Sequence, residues 1–315
     1  MNKVYKIGVI GLGSIGIRHI QNIASVLKER GSLNTIDLIR SGTGKEPGKE
    51  VIQHVSQIFN SCDPVPDDYD VIFVTNPTHL HFETIQKFVS KTKHMFIEKP
   101  VFNTTEVSLN ALHLKDSSIY YVACPLRYTH VIQYLKHLCD LKKIYCARVI
   151  CSSYLPNWRP DQDYRNTYSA HKKQGGGASI DLIHEWDYLC YLFGPPDKVL
   201  NIRGTFSNLE IDSDDLSIYI AKYADMAIEV HLDYFGRKTI REIQIFTEED
   251  TIIGDIANSE IRYLMSGEVI SFNEQRNDFQ RNEIAHFFDI VEGVAVNDND
   301  IPTAFRTLHI AREGK

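Results

Sequence analysis

The apolar run Val4-Tyr5-Lys6-Ile7-Gly8-Val9-Ile10 breaks directly into Gly11-Leu12-Gly13-Ser14-Ile15-Gly16. A short strand that ends at once in glycines of this spacing leaves few architectures open. The following segment, Ser14 to Lys28, can place Ile15, Ile20, Ile23, Val26 and Leu27 on one helical face. Strand, glycine turn and amphipathic helix, in that order, open a βαβ unit. Gly11 permits the tight turn, Gly13 lets the backbone approach a pyrophosphate, and Gly16 allows close helix–strand packing. Ser14 and Ile15 then lie at a helix N-terminus, where free N–H groups and the dipole favour an anion. The segment predicts a dinucleotide site.

The alternation continues. Strands are predicted at Thr35 to Ile39, Asp70 to Thr75, His94 to Ile97 and Ile119 to Ala123, with a helix at Phe82 to Val89. Asp70-Val71-Ile72-Phe73-Val74-Thr75 is apolar without a break, as a sheet buried on both faces requires. This spacing predicts a parallel, doubly wound sheet with right-handed crossovers. After about Cys124 the character changes. Leu126 to Leu141 reads as a helix. Strand patterns follow at 144–151, 199–206, 216–223, 226–234, 240–246 and 260–265, separated by turn signals such as Phe235-Gly236-Arg237. They predict a mainly antiparallel sheet, interrupted by a helix from Ile180 to Phe193. Helical patterns at 283–291 and 303–312 close the chain. The 315 residues suit two domains, 1–123 and 124–315, with the helix at 303–312 placed to return to the first domain.

A net charge of -7 gives no footprint for nucleic acid. No window is apolar for long enough to span a bilayer. The N-terminus enters a strand pattern at once, without a signal-like apolar core, so a cytoplasmic location is expected. The six cysteines, Cys62, Cys124, Cys139, Cys146, Cys151 and Cys190, form no Cys-x-x-Cys and lie mostly in apolar runs. They read as reduced small hydrophobes, with neither a disulfide nor zinc expected.

The second strand ends in Leu38-Ile39-Arg40-Ser41-Gly42-Thr43-Gly44-Lys45. A site for NAD usually carries an acid here, to hold the ribose 2′-hydroxyl. Asp37 lies inside the strand, too early for that. Arg40, Ser41, Thr43 and Lys45 offer donors and positive charge, which suit a 2′-phosphate and favour NADP over NAD. Further on, Met95-Phe96-Ile97 stops at Glu98-Lys99-Pro100. Ligands of doubly wound sheets bind at the carboxyl ends of the strands, so Lys99 is placed for chemistry. In isolation, a Glu-Lys pair would read as surface charge.

Three further segments complete a pattern: Thr75-Asn76-Pro77-Thr78-His79-Leu80-His81, Glu98-Lys99-Pro100, and Gly175-Gly176-Gly177-Ala178-Ser179-Ile180-Asp181-Leu182-Ile183-His184-Glu185-Trp186-Asp187. With the glycine loop they resemble the glucose–fructose oxidoreductase / inositol dehydrogenase (Gfo/Idh/MocA) family, over essentially the whole chain. The resemblance implies a Rossmann domain followed by an α/β domain with a large open sheet. It implies oxidation or reduction of a sugar, cyclitol or nucleotide-sugar with NAD(P), and a homodimer or homotetramer formed through that sheet. Lys99 matches the family's catalytic lysine, and Asp181 and His184 match the signature of its substrate domain. The commoner pattern sets four steps between that Asp and His. The three found here resemble a subgroup linked to bacterial surface-sugar biosynthesis.

Residue chemistry fits this assignment. Removing a hydride from an alcohol requires its proton to leave, and His184 titrates in the right range to take it. Lys99 can stabilise alkoxide charge. On one continuous helix, Asp181 would share a face with His184. Glu98 can hold the lysine or contact the nicotinamide ribose, and Pro100 is expected cis from the resemblance. Thr75, Asn76, Pro77 and His81 are expected at the cofactor. His79 and His81 lack further ligands for a metal. Arg127, Tyr128, Tyr154, Trp158, Arg165 and Tyr168 are expected at the substrate, since aromatic faces and arginine forks suit a sugar ring and a phosphate or carboxylate. Two alternatives stay open: a glycosidase that uses NAD for transient oxidation, and a non-catalytic cofactor-binding sensor.

Overall fold

The computed structural model describes residues 3–42, 46–60 and 63–314. Thr43, Lys45 and Cys62 therefore lie outside the described residues. The chain divides into two compact units, one of residues 1–123 and 280–304, the other of residues 124–279 and 305–315.

The first unit begins β1 (Val4–Ile10), α1 (Ser14–Glu29), β2 (Leu33–Arg40), α2 (Lys49–Ile52), β3 (Gln57–Asn60) and β4 (Tyr69–Val74). It continues through α3 (His81–Phe88), β5 (Thr92–Ile97) and β6 (Tyr120–Val122). The six strands form one parallel sheet in the order β3-β2-β1-β4-β5-β6. That is the dinucleotide-binding order, with its reversal between β1 and β4. Val71, Ile72, Phe73 and Val74 are fully buried, as the unbroken apolar run of β4 demands. β3 pairs at the edge beside β2 and has no counterpart in the sequence reading.

The second unit contains α4 (His130–Leu141), β7 (Ile144–Tyr154), α5 (Ala178–Asp181) and α6 (His184–Phe193). Then come β8 (Lys198–Gly204), β9 (Leu216–Lys222), β10 (Ala227–Asp233), β11 (Phe235–Thr247), β12 (Thr251–Asp255), β13 (Glu260–Tyr263) and β14 (Val269–Ser271). These eight strands order as β14-β13-β12-β11-β7-β10-β9-β8. Neighbours are antiparallel except β7 and β10, which run parallel. Burial alternates along β9: Ser217, Tyr219 and Ala221 face the core, while Ile220 is exposed on the other side.

Helices α7 (Asp278–Val291) and α8 (Ile301–Glu313) end the chain. Here the structure corrects the sequence reading. The segment that joins the first unit is 280–304, not a helix at 303–312. Phe287 packs edge-on against Phe73 and Phe96, at centroid distances of 5.8 and 5.4 Å, and Phe288 meets Tyr5 at 5.1 Å. Val122 N–H donates to Asn299 O at 2.8 Å, and the Asn299 amide returns a bond to Val122 O at 2.8 Å. This closes the β6 edge of the sheet. Residues from 305 onward stay with the second unit, where Tyr219 donates to Ala311 O at 2.7 Å. The continuous helix expected from Ile180 to Phe193 is also broken, at Leu182 and Ile183.

Candidate active site

In the first unit the glycine turn sits at the β1/β4 reversal. Gly11 holds φ +101°, and a Cβ there would meet Asn76 N at 2.8 Å. At Gly16 a Cβ would lie 2.4 Å from Gly11 O and 2.8 Å from Thr75 Oγ1. Thr75 closes the turn by donating from its hydroxyl to Ile10 O at 2.9 Å and to Gly11 O at 3.1 Å. Gly13 differs: a Cβ there would meet nothing within 4 Å. Gly13 also caps α1 without a side-chain hydrogen bond, and the first turn carries no acid. The N–H groups of Ser14 and Ile15 therefore lie at a helix start that no side chain satisfies. Asn76 adds a buried Oδ1 with no hydrogen-bond partner, while its amide donates to Thr84 Oγ1 at 2.8 Å. An uncapped helix start and open space fit a dinucleotide diphosphate, while the orphaned acceptor calls for a donor such as a ribose hydroxyl.

The two glycines should respond differently. Gly16→Ala forces backbone against side chain and should lower the melting temperature clearly. Gly13→Ala should leave melting unchanged and weaken binding of reduced nicotinamide cofactor, read by fluorescence. Equal melting losses in both variants would contradict this geometry.

Lys99 follows β5 directly and is half-buried. The Lys99–Pro100 peptide is cis. Glu98 donates its backbone N–H to Val74 O at 2.9 Å, which continues the sheet pairing one residue further. Its Oε1 lies 2.6 Å from His19 Nε2, and its Oε2 accepts the Lys99 backbone N–H at 3.1 Å. His19 Nδ1 is buried without a partner, so Nε2 makes the hydrogen bond to Glu98. Burial pulls the Glu98 carboxyl upward, but the His19 hydrogen bond and charge, with Lys99 and His81, hold it below the ordinary range. Glu98 is therefore an anion at neutral pH that braces the lysine's backbone.

His81 is 1% exposed, and its ring nitrogens face Asn76 O at 2.9 Å and Val101 O at 3.2 Å. Burial lowers its pKa, against the pull of the two carbonyls. It ties the loop after β4 to the loop after β5 and so positions Asn76 and Pro77. The expectation that His81 itself touches the cofactor is replaced by this internal role.

At the end of β2, Asp37 is buried and accepts from Tyr69 OH at 3.0 Å. Arg40 is 7% exposed and bonds Glu46 at 3.1 Å, while Ser41 is exposed.

In the second unit the three glycines set the start of α5. Gly177 adopts φ +125°, and a Cβ at Gly176 would lie 2.3 Å from Tyr168 O. Asp214 caps the helix by accepting from Ser179 N at 2.8 Å. Asp181 ends α5 and His184 begins α6, so the two stand on either side of a break. Asp181 is buried and accepts from Tyr234 OH at 2.6 Å. The Tyr168 hydroxyl also bonds Asp181, and that carboxylate's charge raises the phenol's pKa. Next to His184, Glu185 is fully buried and faces Arg241 Nε at 2.8 Å.

Two of the expected substrate arginines are engaged elsewhere. Arg127 is 3% exposed and donates to both Asp187 oxygens, from Nε at 3.0 Å and from Nη2 at 2.7 Å. Its guanidinium also stacks over Tyr191 at 5.1 Å. Arg127 is a framework residue, and Tyr128 stands beside it in the turn before α4. Arg165 is exposed and paired with Asp163 and Glu210 on the surface. Trp158 and Tyr168 do come to this region, since Trp158 meets the Tyr234 ring edge-on at 5.2 Å and Tyr168 bonds Asp181, whereas Tyr154 pairs with Phe235 and so faces the other side of the sheet from Tyr234. The sequence reading missed Tyr234 and Asp214, both distant in sequence from Asp181. The only local signal was the aromatic flank of a turn at 234–237.

Among the described residues, no cluster of three or more His, Cys, Asp or Glu side chains could hold a metal. Five cysteines are free thiols, and Cys62 lies outside the described residues. No described helix is long and apolar enough to cross a membrane.

Residues 5–123 match the model of the Gfo/Idh/MocA proteins, described as an oxidoreductase family with an NAD-binding Rossmann fold. Over those residues the chain is similar to the Gfo/Idh/MocA oxidoreductases. A relative from Bacillus subtilis, named an uncharacterized oxidoreductase, is 26% identical over 62% of this chain and 55% of its own length. The 2,7-anhydro-N-acetylneuraminate hydratase of Escherichia coli is 27% identical over 44% of this chain and 38% of its own length. The matches thus span about half or less of these curated relatives. Among solved structures, a levoglucosan dehydrogenase in complex with NADH superposes with a TM-score of 0.80 at 19% identity, covering 98% of this chain and 95% of that one. That likeness is one of fold, and it covers both units.

Proposed function

We propose that this chain is a nicotinamide-dependent dehydrogenase or reductase of the Gfo/Idh/MocA family. It acts on a hydroxyl or ketone carbon of a sugar or nucleotide-sugar. One observation carries the reading: in a single sheet, an uncapped glycine turn at the strand-order reversal accompanies a lysine that ends β5. When bound, the nicotinamide supplies or accepts the hydride. Lys99 donates to the reacting oxygen and stabilises its negative charge. His184 takes the hydroxyl proton in the oxidative direction and returns it in the reductive one. Asp181, held by Tyr234 and Tyr168, fixes the turn from which His184 projects. A cytoplasmic role in making a surface sugar agrees with the shortened Asp-to-His spacing.

Arg40 and Ser41 favour NADP, because Asp37 is committed to Tyr69 and Arg40 is held at the strand end. NADPH should bind at least about tenfold tighter than NADH, an advantage of about 1.4 kcal/mol. Arg40→Ala should remove most of that difference. Titration of cofactor fluorescence reads both, and tighter binding of NADH would overturn the preference.

The exposed apolar side chains Leu200, Ile202 and Ile220 on one face of the large sheet support assembly into a homodimer or homotetramer through that face. The E. coli relative, a hydratase by name, favours one second reading. In it, transient oxidation serves a redox-neutral reaction such as glycoside cleavage. A panel of sugars and nucleotide-sugars with each cofactor separates the two. Net change in reduced-nicotinamide absorbance supports the dehydrogenase, and sugar conversion with no net change supports the alternative.

A further inference from the structure

Helix α1 turns Gly16, Ile20, Ile23 and Leu27 inward, and His19 lies on the same buried face at 1% exposure. Its ring meets Phe96 edge-on at 5.0 Å and Phe73 at 5.7 Å, and those two phenylalanines stack on each other at 4.8 Å. An apolar side chain would fill this place without desolvating a polar one. Histidine instead leaves Nδ1 buried with no hydrogen-bond partner. A nitrogen left in that state costs stability, so packing does not account for the residue.

What the histidine gains is one bond. Its Nε2 lies 2.6 Å from Glu98 Oε1, and the other oxygen of that carboxylate accepts the Lys99 backbone N–H at 3.1 Å. The sheet ties the same strand end to β4 through the Glu98 N–H and Val74 O, at 2.9 Å. His19 stands in the second turn of α1, close behind the uncapped start proposed to receive the cofactor diphosphate. One buried chain of contacts therefore runs from that helix, through His19 and Glu98, to the main chain of Lys99. Glu98 also depends on the histidine for its charge. Burial pushes its carboxyl up, and the hydrogen bond and charge of His19, with the charges of Lys99 and His81, bring it below the ordinary range. These titratable groups face Glu98 from α1, from its own strand end and from α3.

We infer that His19 is a positioning residue for hydride transfer: acting through Glu98, it fixes Lys99 relative to the helix that takes the cofactor. The inference rests on the proposed role of Lys99. It adds a coupling between the cofactor's helix and the donor to the reacting oxygen, which neither the glycine turn nor the lysine supplies alone.

Two readouts on the full chain test it. The first needs no substrate. His19→Leu should speed amide hydrogen exchange at Lys99 at least about tenfold, read by NMR, while the Glu98 N–H, bonded to Val74 O, keeps its wild-type rate. The second is turnover of whichever sugar in the panel gives the fastest change in reduced-nicotinamide absorbance. His19→Leu should lower kcat about 10- to 100-fold, the scale of a misplaced catalytic group, with cofactor affinity near that of wild type. His19→Gln keeps an N–H donor near the Nε2 position and should recover most of that loss. The loss in His19→Leu should deepen as pH falls, because burial then protonates Glu98 closer to neutrality. Added to Lys99→Ala, His19→Leu should cost little more, since its effect passes through the lysine. Should His19→Leu fail to fold, Glu98→Gln takes its place in the same cycle, with the same result expected. Wild-type kcat in the folded variant, unchanged exchange at Lys99, or a full further loss on top of Lys99→Ala would overturn the inference. Wild-type kcat in Lys99→Ala alone is a separate failure, which removes the catalytic lysine and the inference with it.

Discussion

Lys99→Ala will lower kcat by about 10²- to 10⁴-fold, the range for losing a positioned proton donor or oxyanion stabiliser. Affinity for the cofactor should change little, because the glycine turn and the uncapped start of α1 stay in place. Melting should also be nearly unchanged. Glu98 bonds the backbone N–H of Lys99, and that bond survives truncation. Lys99→Arg should recover little, since a planar fork replaces a compact ammonium. Steady-state kinetics beside cofactor titration checks this. A wild-type kcat in Lys99→Ala would remove the lysine from the chemistry.

The largest stability effect is expected at Asp187. The Asp187→Ala variant leaves the Arg127 guanidinium buried without its carboxylate. Breaking such a pair from one side costs about 3–5 kcal/mol. For a chain of this size the loss should appear as a drop in melting temperature of roughly 10 °C. The double variant Arg127→Met/Asp187→Leu should recover most of it, because two apolar groups replace two charges that burial had desolvated. Calorimetry of the single and double variants checks both. If Asp187→Ala melts with the wild type, Arg127 is not the framework residue that its geometry describes, and it returns to the substrate candidates.

The nucleotide half of the protein was readable because its signals are local. Ile10 to Gly16 is strand, turn and helix start within a few residues, and β4 is apolar end to end. The Asp181–His184 segment was found by its glycines, but its break was not. The turn at Leu182–Ile183 follows from Gly177 and from Asp214 at the start of α5, far along the chain. Strands β3 and β14 escaped notice because they are short and largely exposed, and β12 because it is short and buried on both faces, so no alternation develops. Arg127 looked like a ligand because its partner lies 60 positions away. Segment 280–304 joins the first unit through aromatic packing of Phe287, which carries no local mark.

The central claim is that hydride moves between a nicotinamide and a sugar carbon with the help of Lys99. Its most direct test is isotope transfer. The protein is incubated with reduced cofactor deuterated at C4 and with the ketone form of a sugar that supports turnover, and the product is examined by mass spectrometry and NMR. The account predicts one deuterium on the carbinol carbon, with the rate of transfer lowered at least about 10²-fold in Lys99→Ala. Product without deuterium from either C4 face, or equal transfer in Lys99→Ala, would contradict it.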